Sequence, residues 1–490
     1  MRETREGDDM AMTKDERLAA VHEEALQEFD RIQSALQHER SICLEDRRFY
    51  SIAGAQWEGP LGDQFENKPR FEFNKVHLSV IRIINEWRNN RITVDFIPKD
   101  GSTNLELADT CDGLYRADEQ DSGAQEAYDN AFEEAVGGGF GAWRLRAEYE
   151  DDDDDENERQ RICIEPIFDA DSSVFFDLDA KRQDKADAKR CFVLASYTPE
   201  AFEAEFGHNP TDWPKAVQQR EFDWSTPEVV YVAEYYRVEE VPETIHVFRG
   251  LDGEEMRVPG QQLKDDEDKL DELLATGFRL VRQKRVKRRR VHKYILSGAQ
   301  VEEDCGLIAG RCIPVIPVYG KRWFVDNIER CMGHVRLAKD AQRLMNSLLS
   351  WLTEIAARFD TEKPILTPEQ VNGHAATWAQ DNVKRFPYLL LNQIRDGNGD
   401  PVAGTAQPLA YTKAPNVPPA MAALIQIASQ ALDDLLGNQQ AGEQLQPNQS
   451  GKAVELVQNR LDMQVFIYMS NMAKAMKRCG EVWLSMAKDV

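Results

Sequence analysis

The sequence lacks any run of about 18 apolar residues, so it predicts no membrane-spanning helix. The first residues, RETREGDD, are charged and have no apolar core, which predicts that no signal peptide is present. None of the eight cysteines forms a C-x-x-C pair, and they are scattered through core-like segments. We therefore expect reduced thiols in a cytosolic setting.

Motifs for catalysis and nucleotide binding are also missing. The chain has no H-E-x-x-H, no G-x-S-x-G and no phosphate loop, and no two of its eight histidines are closer than 16 residues. The acidic residues of 177–187 lack the spacing of a calcium loop, because Lys181 and Arg182 stand where a ligand and a glycine are needed. The sequence predicts no catalytic residues, no metal and no cofactor, and it favours a structural or mechanical protein over an enzyme.

Negative charge exceeds positive charge. The chain has 60 Lys and Arg against 86 Asp and Glu, which gives a formal charge of −26 at pH 7. Because tight phosphate binding depends on Lys and Arg, this balance argues against a surface that wraps nucleic acid, but not against a protein that handles DNA without gripping it. A length of 490 residues with 42% hydrophobic residues predicts about three globular domains.

One stretch, residues 313–359, organises the rest of the chain. It opens with an apolar run punctuated by Pro314 and Pro317 and continues as a long amphipathic pattern. The pattern predicts one helix from about Val325 to Phe359, on the order of 50 Å long, which suits a rigid strut between two lobes. Its apolar stripe comprises Met345, Leu348, Leu349, Leu352, Ile355, Ala356 and Phe359, and its other face carries Arg336, Lys339, Asp340 and Arg343.

Helical and strand patterns alternate before this stretch. Residues 1 to about 50 are helix-prone, and further helices are predicted over about 75–89 and 104–135, with a strand over Ile92–Ile97. Gly137–Tyr149 indicates a glycine-rich helix stop that leads into a strand, because no Lys-Ser or Lys-Thr follows the glycines as in a phosphate loop.

The middle of the chain is rich in strand patterns. The acidic run Asp151–Asp155 indicates a solvated hairpin loop, with a cation site as the alternative. A short helix is predicted with Thr198 as N-cap and Pro199 at its first position, and a charged helix over Gln261–Thr276. Strands are predicted at 162–167, 174–177 and 191–197 and in several segments between 228 and 317.

Arg282–Lys293 is the one strong basic block. Two interpretations stay open: a solvent-facing strand of a small mixed domain, or a docking surface for an acidic partner or for DNA phosphates.

Two helices around a polar loop close the sequence. They are predicted over Met421–Leu436 and Ala453–Lys488. The second carries a stripe that includes Met472 and Met476, which predicts helix packing rather than a ligand groove.

Together these segments resemble the portal, or head-to-tail connector, proteins of tailed bacteriophages, closest to the short-tailed-phage type. The resemblance spans roughly residues 60–490. The segments that carry it are RFEFNKVHLSVIRIINEWRNNR, GGGFGAWRLRAEY with the strands after it, IPVIPVYGKRW with GHVRLAKDAQRLMNSLLSWLTE, and QSGKAVELVQNRLDMQVFIYMSNMAKAMKRCGEVWL.

The resemblance implies a multidomain α+β portal fold. Family members of this type continue into a crown and often a helical barrel, so the end at Val490 predicts a missing crown, as in a truncated product, a degraded prophage copy or a trimmed chain. The implied parts are a wing (1–197), a first stem helix region (198–225), a small α/β clip (226–322), a second stem helix (323–362), a wing return with the tunnel helix (363–436), a tunnel loop (437–450) and a long helix leading toward the crown (451–490).

The resemblance also implies a function. About twelve copies would form a ring at one capsid vertex of the virion, after assembly in the host cytoplasm. Double-stranded DNA would pass through the channel non-specifically during packaging and ejection. The implied partners are the terminase large subunit, the tail adaptor, and capsid and scaffold proteins, with no membrane. The alternative is another oligomeric phage structural protein, a scaffold or a tail adaptor, without a DNA channel.

Three groups of side chains become candidates within this architecture. Uncharged amides in the tunnel loop suit weak contacts that let DNA slide. The stem candidates are Arg336, Lys339 and Arg343; the docking candidates in the clip are Arg285, Lys287, Arg288, Arg289 and Arg290; the tunnel-loop candidates are Asn438, Gln439, Gln440, Gln444, Gln446, Asn448 and Gln449.

Overall fold

The protein folds into two compact units with an α+β composition. The first comprises residues 1–48, 79–336 and 445–490, and the second comprises 49–78 and 337–444. The structure, a computed structural model, describes residues 13–98, 105–150, 159–210, 213, 222–250, 255–259, 278–358, 364–381, 384, 386–405, 407–412, 419–437 and 451–490.

The regular elements of the described residues follow. The helices are α1 (Lys14–Ser51), α2 (Pro60–Asp63), α3 (Lys75–Asn89), α4 (Leu105–Asp121), α5 (Ala124–Gly137), α6 (Ala170–Ser173), α7 (Pro199–Phe206), α8 (Lys339–Arg358), α9 (Pro368–Val371), α10 (Ala375–Gln380), α11 (Pro419–Leu436) and α12 (Gly451–Met486). The strands are β1 (Phe140–Tyr149), β2 (Gln160–Ile167), β3 (Val174–Phe176), β4 (Arg190–Tyr197), β5 (Val230–Arg249), β6 (Glu255–Pro259), β7 (Arg279–Leu296), β8 (Val301–Ile308), β9 (Val315–Tyr319), β10 (Lys321–Val325), β11 (Ile328–Met332), β12 (Pro364–Ile365) and β13 (Ala410–Tyr411).

Two sheets form the centre of the first unit. One has the order β2-β1-β9, and the other has the order β3-β4-β5-β7-β8 with β6 paired to the far end of β5. Arg144 of β1 connects them, because its guanidinium reaches Glu165 of β2 at 2.7 Å and Glu234 of β5 at 2.8 Å. The resulting ion-pair group aligns the two sheets within one core.

The N-terminal half of α1 packs on the larger sheet through Phe29. Its ring is fully buried and meets Phe175, Phe192 and Phe222 edge-on at centroid distances of 5.3 to 5.4 Å. Edge-to-face contacts of this kind stabilise a core beyond the area they bury. The helix predicted over residues 1 to about 50 is therefore confirmed over Lys14–Ser51, and its apolar side is a core face.

Glycines let α5 end against β1 without a gap. A Cβ added at Gly141 would lie 2.1 Å from the carbonyl oxygen of Ala131, and Gly139 adopts a φ of 114° close to the backbone of Met332. The N–H of Gly138 closes the helix by donating to Glu134 O at 2.8 Å. The predicted helix stop that feeds a strand is confirmed.

In the second unit, α8 packs against α11. Leu348 contacts Met421 and Ala428 in a small apolar cluster, with Ile355 and Ile425 at its edge. The two-stranded sheet β12-β13 also belongs to this unit. Part of the predicted apolar stripe of α8 is thus a genuine packing face.

The predicted start of that helix near Val325 is wrong. Residues 321–332 form the hairpin β10-β11, and α8 begins only at Lys339, after a 3-10 turn over Arg336–Ala338. Asp326 and Asn327 at the tip have φ values of 53° and 64°, the left-handed conformation that two-residue hairpin turns require. The 20-residue helix is about 30 Å long rather than 50 Å.

Three smaller expectations also need correction. Residues 92–97, predicted as a strand, have no regular secondary structure and pair with no strand among the described residues. The helix predicted over 104–135 is broken into α4 and α5 by Gly123, which has a φ of 61°. The first two strand segments predicted after Glu228, VVYVAEYYRVEE and ETIHVFRG, merge into the single 20-residue strand β5, whereas the third, RRRVHKYILSG, forms part of β7.

Other elements agree with their patterns. Helix α3 covers Lys75–Asn89 as predicted, and the Thr198 hydroxyl accepts the N–H of Ala201 at the start of α7. In α12, Met472 and Met476 are buried core residues, as the stripe predicted. The run Asp151–Asp155 and the helix predicted over Gln261–Thr276 lie outside the described residues. Within the part that is described, no helix has the length and apolar content needed to cross a membrane.

We expect Phe29→Ala to lower the free energy of unfolding of the first unit by about 3 to 5 kcal/mol, because it removes a buried ring and leaves a cavity among aromatic side chains. Denaturant unfolding followed by tryptophan fluorescence measures the change. Leu44→Ala on the same helix, at a side chain that is 37% exposed, is the matched control and should change little. Equal effects of the two variants would contradict the central position of Phe29.

Candidate interaction surfaces

The three predicted stem cations have different surroundings. Arg336 lies in the 3-10 turn of the first unit, and its Nε is 2.7 Å from Asp46 Oδ2 while Nη1 is 3.4 Å from Glu39 Oε2. Asp46 is fully buried on α1. Burial alone would lower the pKa of Arg336, but the hydrogen bond and the charge of Asp46 raise it, so the guanidinium stays charged. Its contacts give Arg336 a structural role.

Lys339 and Arg343 lie one turn apart on α8, in the second unit. Both pack on the ring of Phe49, with the Lys339 Nζ 5.9 Å and the Arg343 Cζ 5.3 Å from its centroid. These two cations are half-buried against an aromatic face. The exposed side of α8 carries Leu344 and Trp351 instead.

A buried polar stripe on α8 escaped the sequence analysis. Gln342, Asn346 and Ser350 are almost completely buried, and they follow each other at four-residue steps. Ser350 Oγ accepts the N–H of Phe71 at 3.0 Å, and Asn346 Oδ1 accepts the N–H of Phe73 at 3.1 Å. The signal for this stripe in the sequence is the four-residue spacing of three polar side chains, each of which can hydrogen-bond to a backbone segment. The sequence does not reveal their burial, because the backbone segment that they bind lies about 270 residues earlier.

The predicted tunnel loop (437–450) lies outside the described residues except for Gly437. All seven candidate Asn and Gln residues, from Asn438 to Gln449, lie outside the described residues. The helix before them, α11, ends at Leu436 and is followed by Gly437 with a φ of 67°.

The basic block forms much of β7, which pairs with β5 along a long antiparallel ladder. Successive side chains therefore alternate between the two faces of the ribbon. Arg285, Lys287 and Arg289 share one face, while Arg288 and Arg290 share the other. The structure thus brings the five docking candidates onto one strand but divides them between two surfaces.

Several of these cations already have acidic neighbours. Arg288 is paired with Glu243, Lys287 Nζ is 3.3 Å from Glu240 Oε2, and Arg290 is paired with Asp489. The Lys287 pair is fully in solvent and contributes little. Arg285 and Arg289 are exposed, and Arg289 Nη2 donates to Ala188 O at 3.4 Å, so among the five docking candidates these two lack a carboxylate partner in the described structure.

A second cluster of charges lies between α1 and the α5–α6 region. Arg47 reaches Glu134 at 3.2 Å, Asp169 at 2.8 Å and Asp171 at 2.8 Å. Burial raises the pKa of Glu134 to about 7, although Arg47 and two backbone N–H groups oppose the shift. The described residues contain no group of three or more potential ligands that would hold a metal ion.

Comparison with known proteins identifies the family. The family model for phage P22-like portal proteins matches residues 26–490. The chain belongs to the P22-like phage portal protein family. The portal protein of Acyrthosiphon pisum secondary endosymbiont phage 1 is 40% identical over 483 residues, which are 97% of this chain. The chain spans 66% of the length of that relative.

The ion pairs of Arg336 generate a prediction for this portal-family chain. We expect Arg336→Met to lower the free energy of unfolding by roughly 3 to 5 kcal/mol, because it leaves the Asp46 carboxylate buried without its cation. Adding Asp46→Asn should recover part of the loss. Lys287→Met, which breaks an exposed pair, is the control and should cost less than about 1 kcal/mol. Urea unfolding gives the free energy of unfolding of the wild type and of the three variants. A change within 1 kcal/mol for Arg336→Met would contradict the structural role.

Proposed function

We propose that this chain is the portal protein of a tailed phage. About twelve copies form a ring at one vertex of the capsid, and double-stranded DNA passes through the central channel during packaging and ejection. The observation that carries the proposal is the family match over residues 26–490, supported by a phage portal protein 40% identical to the chain. The ring assembles in the host cytoplasm with capsid and scaffold proteins and remains in the virion. The wing, clip and tunnel-loop boundaries stated above are part of this proposal, and the second stem helix in it is α8, Lys339–Arg358.

Exposed apolar side chains in the second unit support assembly with neighbouring copies. Leu344 and Trp351 on α8 are 43% and 51% exposed, and Leu424 and Ile427 on α11 are 46% and 64% exposed. Apolar surface of this kind on amphipathic helices is typical of an interface. In the proposed ring these helices belong to the stem and the adjoining tunnel region, where copies meet.

We expect the purified protein to form rings with a central hole in negative-stain images, and Leu344→Glu/Trp351→Glu to shift it toward monomers. Buried carboxylates at an interface oppose association because they lose their hydration. Tyr388→Glu, at an aromatic residue 71% exposed in the same unit, is the control and should leave the rings intact. Mass photometry measures the distribution.

Three outcomes separate the candidates. Rings whose hole is too narrow for duplex DNA would favour a scaffold or a tail adaptor. A wild-type protein that is strictly monomeric at high concentration would count against the ring. An unchanged ring in the double variant would move the interface away from this face of α8.

The charge balance suits a channel that lets DNA slide. Strong binding to phosphates would stall movement, and a chain with a formal charge of −26 offers few cations for it. We propose Lys339 and Arg343 as the stem residues that touch phosphates in passing, and the amides of 438–449 as the tunnel contacts. Arg336 is already paired with Asp46 and Glu39, so the proposal depends on the other two cations.

We further propose that β7 lies in the clip and that its basic face docks the large terminase subunit and later the tail adaptor. Arg285, Lys287 and Arg289 project from one face of a long ribbon, which suits an acidic surface on a partner. The motor that drives DNA is then a separate ATPase, and this chain acts as a passive ring.

We expect Arg285→Glu/Arg289→Glu to weaken binding of the large terminase subunit about tenfold or more, without loss of ring assembly. The reversal places like charges opposite an acidic partner. Arg31→Glu/Arg116→Glu changes the charge equally at two arginines that are 66% and 62% exposed on α1 and α4, and it should bind normally. Biolayer interferometry on immobilised rings gives the affinities. Equal affinities for the two double variants would rule out docking through this face.

A further inference from the structure

Cys43 and Cys331 lie in contact inside the first unit. Their Sγ atoms are 3.8 Å apart although the residues are 288 positions apart in sequence. Cys43 lies in the C-terminal half of α1 and is fully buried, and Cys331 lies on β11 with 5% exposure. None of the other six cysteines, all of which are described, has its sulfur in contact with a second sulfur.

Positive charge surrounds the pair. Arg336 Nη2 donates to Cys43 Sγ at 3.4 Å. The guanidinium of Arg40 lies 3.7 Å from the Phe140 ring centroid, and its Nη1 is buried without a hydrogen-bond partner among the described residues. The Cys331 thiol holds the pKa of Cys43 below its usual range, with the charges of Arg40 and Arg336 acting in the same direction and burial opposing them. Such surroundings favour a thiolate, which is the reactive form of cysteine.

The other buried thiols differ in this respect. Cys479 accepts from the indole N–H of Trp143 at 3.4 Å, and burial raises its pKa to about 11. Cys163 contacts the Glu148 carboxylate at 3.3 Å, and burial together with that acid raises its pKa to about 11. Arg161 opposes the shift at Cys163 without reversing it, and neither thiol has a second cysteine in contact to complete a disulfide among the described residues.

We propose that Cys43 and Cys331 are a latent disulfide site that cross-links α1 to the β10-β11 hairpin when local opening of the first unit admits a small disulfide oxidant to the buried pair. The Cys43 thiolate attacks one sulfur of the oxidant, which forms a mixed disulfide and releases one thiol after that thiolate takes up a proton. Cys331 then loses its proton and attacks Cys43 Sγ, which forms the protein disulfide and releases the second thiol. Two protein thiols lose two electrons in total, and the external disulfide gains them.

The cross-link would stabilise the first unit. It closes a loop of 288 residues, and long loops restrict the unfolded chain strongly. It would also fix β11 to α1 where Arg330 and Arg336 already pair with Glu39. In a reducing compartment the two cysteines remain thiols, because small thiols reverse the exchange.

The test uses the full-length protein, reduced and then incubated natively with bis(2-hydroxyethyl) disulfide. After acid quenching, unfolding and alkylation of the remaining thiols, non-reducing peptide mass spectrometry should find Cys43 linked to Cys331. Cys479→Ser is the control and should give the same cross-link. In Cys331→Ser, Cys43 should instead retain the hydroxyethyl mixed disulfide. Oxidised wild type should also unfold at a higher temperature than reduced wild type, and dithiothreitol should abolish the difference.

Two results would overturn the proposal. One is recovery of both peptides singly alkylated after exhaustive oxidation of the wild type. The other is a spread of cross-links over all eight cysteines, which would show reaction of unfolded chains. Both readings come from the wild type, so they hold even where a serine variant fails to fold.

Discussion

The first unit depends on the charged half of one helix. Between Glu39 and Arg47, α1 presents carboxylates and a guanidinium that pair with segments far apart in sequence: Arg47 with Glu134 and Asp171, and Asp46 with Arg336. Asp46 and Asp171 are almost completely buried. Charges this deep are tolerated only when their partners are present. The end of α5, the turn of α6 and the segment after β11 are therefore held in one relative position by α1.

Prediction from the sequence succeeded where the deciding residues lie close together in the chain. Helix α3 and the cap of α7 are defined by residues within a few positions of each other, and both agree with the structure. The hairpin β10-β11 was missed because an amphipathic pattern happened to continue through it, while the turn residues Asp326 and Asn327 gave a weak signal. The partners of Arg336 could not have been read at all, since Asp46 lies 290 residues away. A local pattern showed a polar face, but only the fold shows whether that face meets water or a buried acid.

The same distinction applies to the basic strand. The sequence of β7 is densely basic, but Glu243, Glu240 and Asp489 each pair with one of its cations. Glu243 and Glu240 reach the block through the antiparallel ladder with β5, whereas Asp489 reaches Arg290 from the residues after α12. Of the five docking candidates, Arg285 and Arg289 are left without a carboxylate partner in the described structure. In the proposed docking, so few charges would give specificity and a faster association more than tight binding.

Assembly of acidic copies raises a further requirement. Each chain carries a formal charge of −26, so copies repel one another, although salt limits the range of this repulsion to about 8 Å at physiological ionic strength. Close association therefore needs contacts that act at short range and do not depend on net charge. Helix α8 has such a surface: Gln342, Asn346 and Ser350 bind its own unit, Leu348 packs on α11, and Leu344 and Trp351 are left in water. Two sides of this helix pack within its own unit, and its third side is apolar and exposed. Burial of that third side against another copy would offset the repulsion between the chains.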